Sequence, residues 1–275
     1  MAFVMSFEDW VSQYGTITLT NDGGTAPTVA SGYSLDSLKT RQLGDICRIN
    51  SSTGATIIRI DFSETTSTAM AAALLSLVSD QAFTLTIKTY NSTTLRTSDV
   101  IGSISSLGAS WLTSKAVLHE TPSASIDRLE IWLAPFIGVS TKVDIGRIWY
   151  GNAFQSVHDS GLAWDTGPED SGGVELSRGG QAYPRIGVIS RTVRLPLPRI
   201  EPAEIFGVGG GSTGDLSTVL LEEGVHSVGK TGEFVAFQEL ATNPMRPVYG
   251  HFQEMPRFTA NQYDYETSLV MREER

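Results

Sequence analysis

Four histidines, a short cluster of acids and two glycine- or serine-based motifs are the residues whose types could do chemistry. His119, His158, His226 and His251 are potential zinc ligands, but they stand far apart and none is placed as H-x-x-x-H or HExxH. Asp165, Glu169 and Asp170 lie within six positions of one another. Carboxylates this close suit a structural Ca²⁺ on a loop, or the acid and base of a glycosidase. No D-x-D-x-D-G loop surrounds them, and a glycosidase pair needs a defined separation across a cleft. A solvated acidic turn is the simpler reading. GGGSTG at 209–214 satisfies G-x-G-x-x-G. A short helical turn precedes it rather than a strand, no βαβ unit surrounds it, and it lacks the lysine of a phosphate loop. SVGK at 227–230 matches S-x-x-K without its partner motifs, and no serine sits in G-x-S-x-G. The expectation is a protein that is not an enzyme and calls for no cofactor.

Composition narrows the partners. A formal net charge of −10, with lysines and arginines scattered, disfavours nucleic acid and anionic membrane surfaces. Cys47 is the single cysteine, so no intrachain disulfide can form. In DICRI an alternating strand would bury it as a small core residue, which suits assembly in a reducing cytoplasm. The start, MAFVMSFEDW, has acids where a secretion signal has bases, and the longest apolar run, 69–78, is too short to span a bilayer. The expectation is a soluble chain without membrane insertion.

The elements that must position any site are mostly strands. Charged residues make up only 18%, and 27 glycines with many serines and threonines favour strands with polar outer faces over a helical bundle. Period-two alternation predicts strands at 55–62, 83–90, 114–120, 127–134 and 142–151. The Ala/Leu-rich run TTSTAMAAALLSLVSDQ at 65–81 predicts the one clear helix, with hydroxyls at its N-cap. TITLTNDGGTAPTV suggests a hairpin or an edge strand. Past residue 152 the texture is loop-like to 185. An alternating strand over 186–198 follows, with the character of an interface or edge strand. A helical turn opens at EPAEIF, and strands are expected at 218–223, 233–240, 246–253 and 265–274. The fold class is therefore all-β with minor α. An N-terminal jelly-roll β-sandwich with one short helix is assigned to residues 1–151, and a second, smaller β-rich unit with long loops to 152–275.

Among the aromatics, Trp132 and Trp149 fall on expected core faces. Trp111 and Trp164 lie in loops, where an indole can stack on a sugar ring or on a neighbouring subunit. With His158, Arg178 and Gln181 they are the candidates for an interface or glycan contact.

The run from Asp144 to Phe206 carries three landmarks: GRIWYGNAFQ, an acidic turn before SRGGQ, and RTVRLPLP. It resembles the tail-tip and baseplate structural proteins of long-tailed bacteriophages, distal-tail-like or minor tail proteins. RLEIWL followed by DIGRIWYG resembles the closing strands of discoidin-type, galactose-binding-like sandwiches. The resemblance implies a virion component, assembled in the host bacterial cytoplasm, that contacts copies of itself in a ring or trimer and other tail or baseplate proteins. It transfers no catalytic residues. A carbohydrate-binding, receptor-recognising module is the alternative, and a glycan-active enzyme a second one. The loops at 153–185 and 207–215 have few apolar residues and are expected to be ordered by partners.

Overall fold

The computed structural model describes residues 3–273, apart from 24–25, 43, 52–53, 67–69, 76, 80–81, 105–114, 121–124, 137–140, 159–164, 171, 177, 179–180, 186, 188, 208–218, 239–247 and 262. The N-terminal half runs β1 (Phe3–Ser6), α1 (Trp10–Tyr14), β2 (Gly15–Asn21), β3 (Thr28–Val29), a 3-10 turn (Leu35–Lys39), β4 (Cys47–Ser51) and β5 (Gly54–Thr66). It continues through β6 (Met70–Leu75), β7 (Val78–Ser79), β8 (Phe83–Asn91), β9 (Thr94–Ile104), β10 (Lys115–Glu120), β11 (Ile126–Phe136), β12 (Thr141–Ile145) and β13 (Arg147–Gln155). Then come β14 (Asp165–Asp170), β15 (Gly173–Leu176), β16 (Ala182–Arg185), β17 (Ile189–Ile200), α2 (Pro202–Phe206) and α3 (Leu221–Val228). The chain closes with β18 (Phe234–Gln238), β19 (Val248–Glu254), β20 (Thr259–Ala260) and β21 (Tyr265–Glu273). The fold class is all-β with minor α.

Alternation decides which faces meet. In β8, Phe83, Leu85, Ile87 and Thr89 point inward while the residues between them do not. The five-stranded sheet β2-β5-β11-β8-β9 turns such a face toward the four-stranded sheet β3-β4-β12-β7. Ile58, Ile60, Leu85, Ile87, Leu129 and Ile131 pack there with Cys47, Ile49, Val143, Ile145 and Tyr150. This is the β-sandwich. Cys47 is fully buried, and burial together with Asp144 pushes its thiol up to about 11, so it stays protonated and inert at neutral pH.

The largest sheet runs β10-β6-β13-β1-β18-β19-β21-β17-β14, with β20 attached to β21, and every ladder in it is antiparallel. It passes straight through position 151/152, because β13 spans that point and pairs with both β6 and β1. A second core lies against it. Phe3, Met5 and Phe154 pack with Val193, Leu195, Leu269, Met271 and Phe252, and with Ile205 of α2 and Val225 of α3.

Four sequence expectations need correction. Residues 70–75 form a strand, not a helix: Met70–Leu75 pairs with β13 on one side and β10 on the other. Ala and Leu favour helix by only a fraction of a kcal/mol per residue, roughly 0.7 at most, and two hydrogen-bonded ladders outweigh that. Of the strand expected at 218–223, residues 221–223 are the start of α3, whose buried Leu221, Gly224 and Val225 follow helical spacing, with Glu222 and Glu223 near its positive end. The strand expected at 142–151 is two strands, and at Gly146 the chain crosses from the four-stranded sheet to the largest one. The loop expected at 153–185 holds β14, β15 and β16.

Candidate functional site

Two places combine unusual chemistry with unusual exposure. The first is a buried clamp. Arg147 opens β13 and is 3% exposed at its side chain. Its Nε and Nη2 donate to Oδ2 of Asp9 at 3.3 and 2.7 Å, and its Nη1 donates to Oε2 of Glu233 at 2.8 Å and to the Tyr249 hydroxyl. The guanidinium centre lies 5.0 Å from the Trp149 ring and 5.1 Å from that of Tyr249. Asp9 is the N-cap of α1, and its Oδ1 accepts from the Val11 and Ser12 amides. Burial pushes the Asp9 carboxyl up, against the opposing pull of Arg147 and those two amides. Burial would lower Arg147, but Asp9, Tyr249 and Glu233 hold it above its ordinary value. Beside the clamp opens a cavity of about 460 Å³, walled by Glu8, Ser12, Lys39, Asn152, Val219 and Glu223 among others. Trp10 Nε1 and Asn152 Nδ2 both donate to Glu8 Oε2 there. The clamp joins α1, β13, the residue before β18, and β19, so its chemistry is that of a structural tie between the halves.

The second place is an arm. β14 pairs with β17 from Asp165↔Arg194 to Asp170↔Ile189. Beyond that ladder β15 pairs with β16, from Gly173↔Arg185 to Leu176↔Ala182. The four residues of β15 span roughly 13 Å at about 3.3 Å per residue. By register, Val174, Ala182 and Pro184 share one face, and Glu175 and Tyr183 the other. Val174 is 66% and Tyr183 56% exposed, so neither face is covered by the chain's own described residues. A two-stranded ribbon without a packed face is at best marginal in water.

Arg178 and Gln181 stand at the turn of this arm, both exposed, and Gln181 Oε1 accepts from the Tyr183 hydroxyl at 3.0 Å. His158 is elsewhere and is half-buried: its Nε2 lies 2.9 Å from Oε1 of Glu201, the N-cap of α2. It ties the end of β13 to α2 within the chain, where a surface contact was expected. Trp111 and Trp164 lie outside the described residues, as does GGGSTG. Trp149 is buried, with Nε1 donating to Ser6 at 2.8 Å. Trp132 is not on the core face; it sits half-buried on the outer face of the five-stranded sheet, donating to Glu130 at 2.9 Å.

The acids of 165–170 do not converge. Glu169 accepts from Thr192 and Gln253, while Asp170, one residue on and so on the opposite face of β14, accepts from the Gly172 amide. Among the described residues no group of three His, Cys, Asp or Glu is placed to hold a metal ion. No described helix is long and apolar enough to cross a membrane. Sequence reasoning missed Asp9, Glu233 and Tyr249, since only the fold brings them to Arg147. The one available signal was an arginine set inside the apolar run IGRIWYG.

No protein-family model and no curated protein matches the chain. Several solved structures are similar at low identity. The family 32 CBM of C. perfringens NanJ, in complex with galactose, is 8% identical over 53% of this chain and 98% of that one, with a TM-score of 0.37. A GH31 CBM32 bound to GalNAc is 13% identical over 50% of this chain and 99% of that one, with a TM-score of 0.33. A fucolectin from the serum of striped bass, Morone saxatilis, is 12% identical over 96% of this chain and 97% of that one, with a TM-score of 0.34. At these values the likeness is one of β-rich architecture.

Proposed function

We propose that this chain is a non-catalytic assembly subunit, and more finely a structural component of a bacteriophage tail tip or baseplate, built in the host cytoplasm and working in the virion. The observation that carries the reading is the uncovered arm. A ribbon that leaves Val174 and Tyr183 in water gains its order when another surface covers it. The finer reading is supported by where the phage-like landmarks fall: GRIWYGNAFQ lies along β13, Arg178 and Gln181 of SRGGQ lie beside the β15–β16 pair, and RTVRLPLP lies in β17, which bears the arm.

The test replaces residues 172–187 by Asn-Gly, a two-residue turn that closes β14 onto β17. The shortened chain is expected to keep its far-UV circular dichroism and its melting midpoint, and to lose incorporation into particles. Normal incorporation would sink the reading.

A second reading, carbohydrate binding, is favoured by the outer face of the five-stranded sheet. There Glu130 accepts from Trp132 and from Tyr90, and Lys88 Nζ lies 3.4 Å from the centre of the Trp132 ring. Arg59 and Arg128 both donate to Asp61 in the same patch. Aromatic rings beside paired donors and acceptors suit the apolar face and the vicinal hydroxyls of a pyranose. Titration with bacterial surface polysaccharides is then expected to give a saturable fluorescence change that Trp132→Ala abolishes. A flat titration of the unaltered chain excludes this reading.

A further inference from the structure

The cavity beside the clamp is lined by charges that the clamp does not use. Its cations are Lys39, Arg41 and Arg147, and its acids are Glu8, Asp9, Glu223 and Glu233. Arg147, Asp9 and Glu233 satisfy one another. Lys39 Nζ donates to the Gly15 carbonyl and has no ion-pair partner among the described residues, so two of its three N–H groups remain. Arg41 approaches acid only at 3.9 Å, from Nε to Glu233, too far for a hydrogen bond. On the acid side, Trp10 and Asn152 both donate to Oε2 of Glu8, which leaves Oε1. Glu223 has no ion-pair partner among the described residues. Two cations and two carboxylates therefore line one space with bonding capacity left over.

The length of α1 sets these groups apart. Glu8 precedes its N-cap, Asp9, while Lys39 is held at its C-cap, Gly15. From Asp9 to Gly15 the helix rises about 9 Å, at roughly 1.5 Å per residue. Ser12 and Gln13, both exposed, line the cavity between those ends. α3 adds Glu223 and Ser227, one turn apart on a single face. A volume of about 460 Å³ is within the range of small-ligand sites. An anion such as phosphate would suit Lys39 and Arg41 but meet Glu8 and Glu223. A polyamine would suit the acids and meet the cations, and a neutral sugar would leave all four charges without a counterion. A ligand with an ammonium at one end and a carboxylate at the other satisfies both pairs. An extended dipeptide spans about 7 Å, at up to roughly 3.6 Å per residue, and a hydrogen bond of about 2.8 Å at either end completes the reach. A single amino acid carries both charges on one Cα and falls short. We infer that this cavity binds a short zwitterionic peptide of dipeptide size, with its ammonium at Glu8 and Glu223 and its carboxylate at Lys39 and Arg41. The site uses neither the arm nor the outer face of the five-stranded sheet, so it is separate from both readings above.

The probe is dialanine with free termini, titrated into the full chain. Trp10, bonded to Glu8 at 3.2 Å, reports occupancy through its emission, and calorimetry gives the affinity. Saturable binding is expected, with a melting midpoint that rises with dialanine concentration. N-acetyl-dialanine lacks the ammonium and dialanine amide lacks the carboxylate. Each is expected to bind at least about tenfold more weakly, as charge-assisted hydrogen bonds are lost. Arg41→Gln and Glu223→Gln alter exposed side chains and are expected to keep the far-UV circular dichroism of the unaltered chain. Each is expected to weaken dialanine binding by about three- to tenfold, the range for one hydrogen bond lost. A flat titration with dialanine overturns the inference. So do capped peptides that bind as well as dialanine, variants that bind it like the unaltered chain, and inorganic phosphate or galactose that displaces it.

Discussion

Replacing Arg147 by alanine is expected to destabilise the fold by about 3–5 kcal/mol, the range for removing one partner of a buried ion pair. The loss is large because Asp9 stays behind, with a side chain 5% exposed and its cation gone. Glu233 and Tyr249 lose the same donor. Urea unfolding at neutral pH measures the effect. A loss below about 1 kcal/mol, the level of a surface pair, would show that the clamp does not tie the halves together. A second variant guards against the bulk change: Arg147→Met keeps much of the volume and still strands the carboxylate.

The stranded carboxylate makes the variant sensitive to pH. Burial already raises the Asp9 carboxyl, and Arg147 opposes that rise. Without the guanidinium the folded-state value climbs further, so the folded variant holds a proton that the unfolded chain releases near pH 4. A group raised on folding adds stability below its unfolded value and loses that contribution as pH rises through the folded value. The variant's deficit is therefore smallest near pH 4 and grows toward pH 8. Adding Asp9→Asn to Arg147→Met is expected to flatten the dependence. A deficit that shrinks as pH rises would reverse the sign and rule the account out.

The sheets were legible wherever one face is wet and the other dry. FTLTIKTYN alternates cleanly because β8 lies between a core and solvent. MAAALL gives no period, and with composition as its only cue it reads as helix. Its strand identity comes from β10 and β13 on its flanks, which a local window does not contain. DTGPEDSGG reads as loop for the opposite reason: with its residues largely in water, β14 has no apolar alternation to display. The candidate contacts divided similarly. Arg178 and Gln181 are expected as contacts from the SRGGQ run, and the structure shows both exposed beside the β15–β16 pair. The clamp was not legible, since Asp9, Arg147, Glu233 and Tyr249 are spread over most of the chain's length.

Gly151→Ala is expected to cost at least about 3 kcal/mol, at or above the upper end of overpacking changes. A Cβ built on Gly151 would stand 1.5 Å from the Glu8 carbonyl oxygen and 2.7 Å from its carbon. Those are backbone atoms, so no rotamer change relieves the clash. The chain leaving β1 crosses directly over β13 at this point, on its way from Ser6 to the N-cap of α1. Moving it would shift Glu8 away from Asn152 and Trp10, and Asp9 away from Arg147. The substitution therefore breaks the seam between the halves through the backbone, where Arg147→Ala breaks it through charge. Gly167→Ala is the control. It lies in β14, and nothing stands within 4 Å of its added Cβ. There the reduced freedom of the unfolded chain is expected to leave stability unchanged or raised by roughly 0.4–1 kcal/mol. Both follow from urea unfolding of the single variants. Equal effects at the two positions would mean that the close crossing at Gly151 is not what holds β1 against β13.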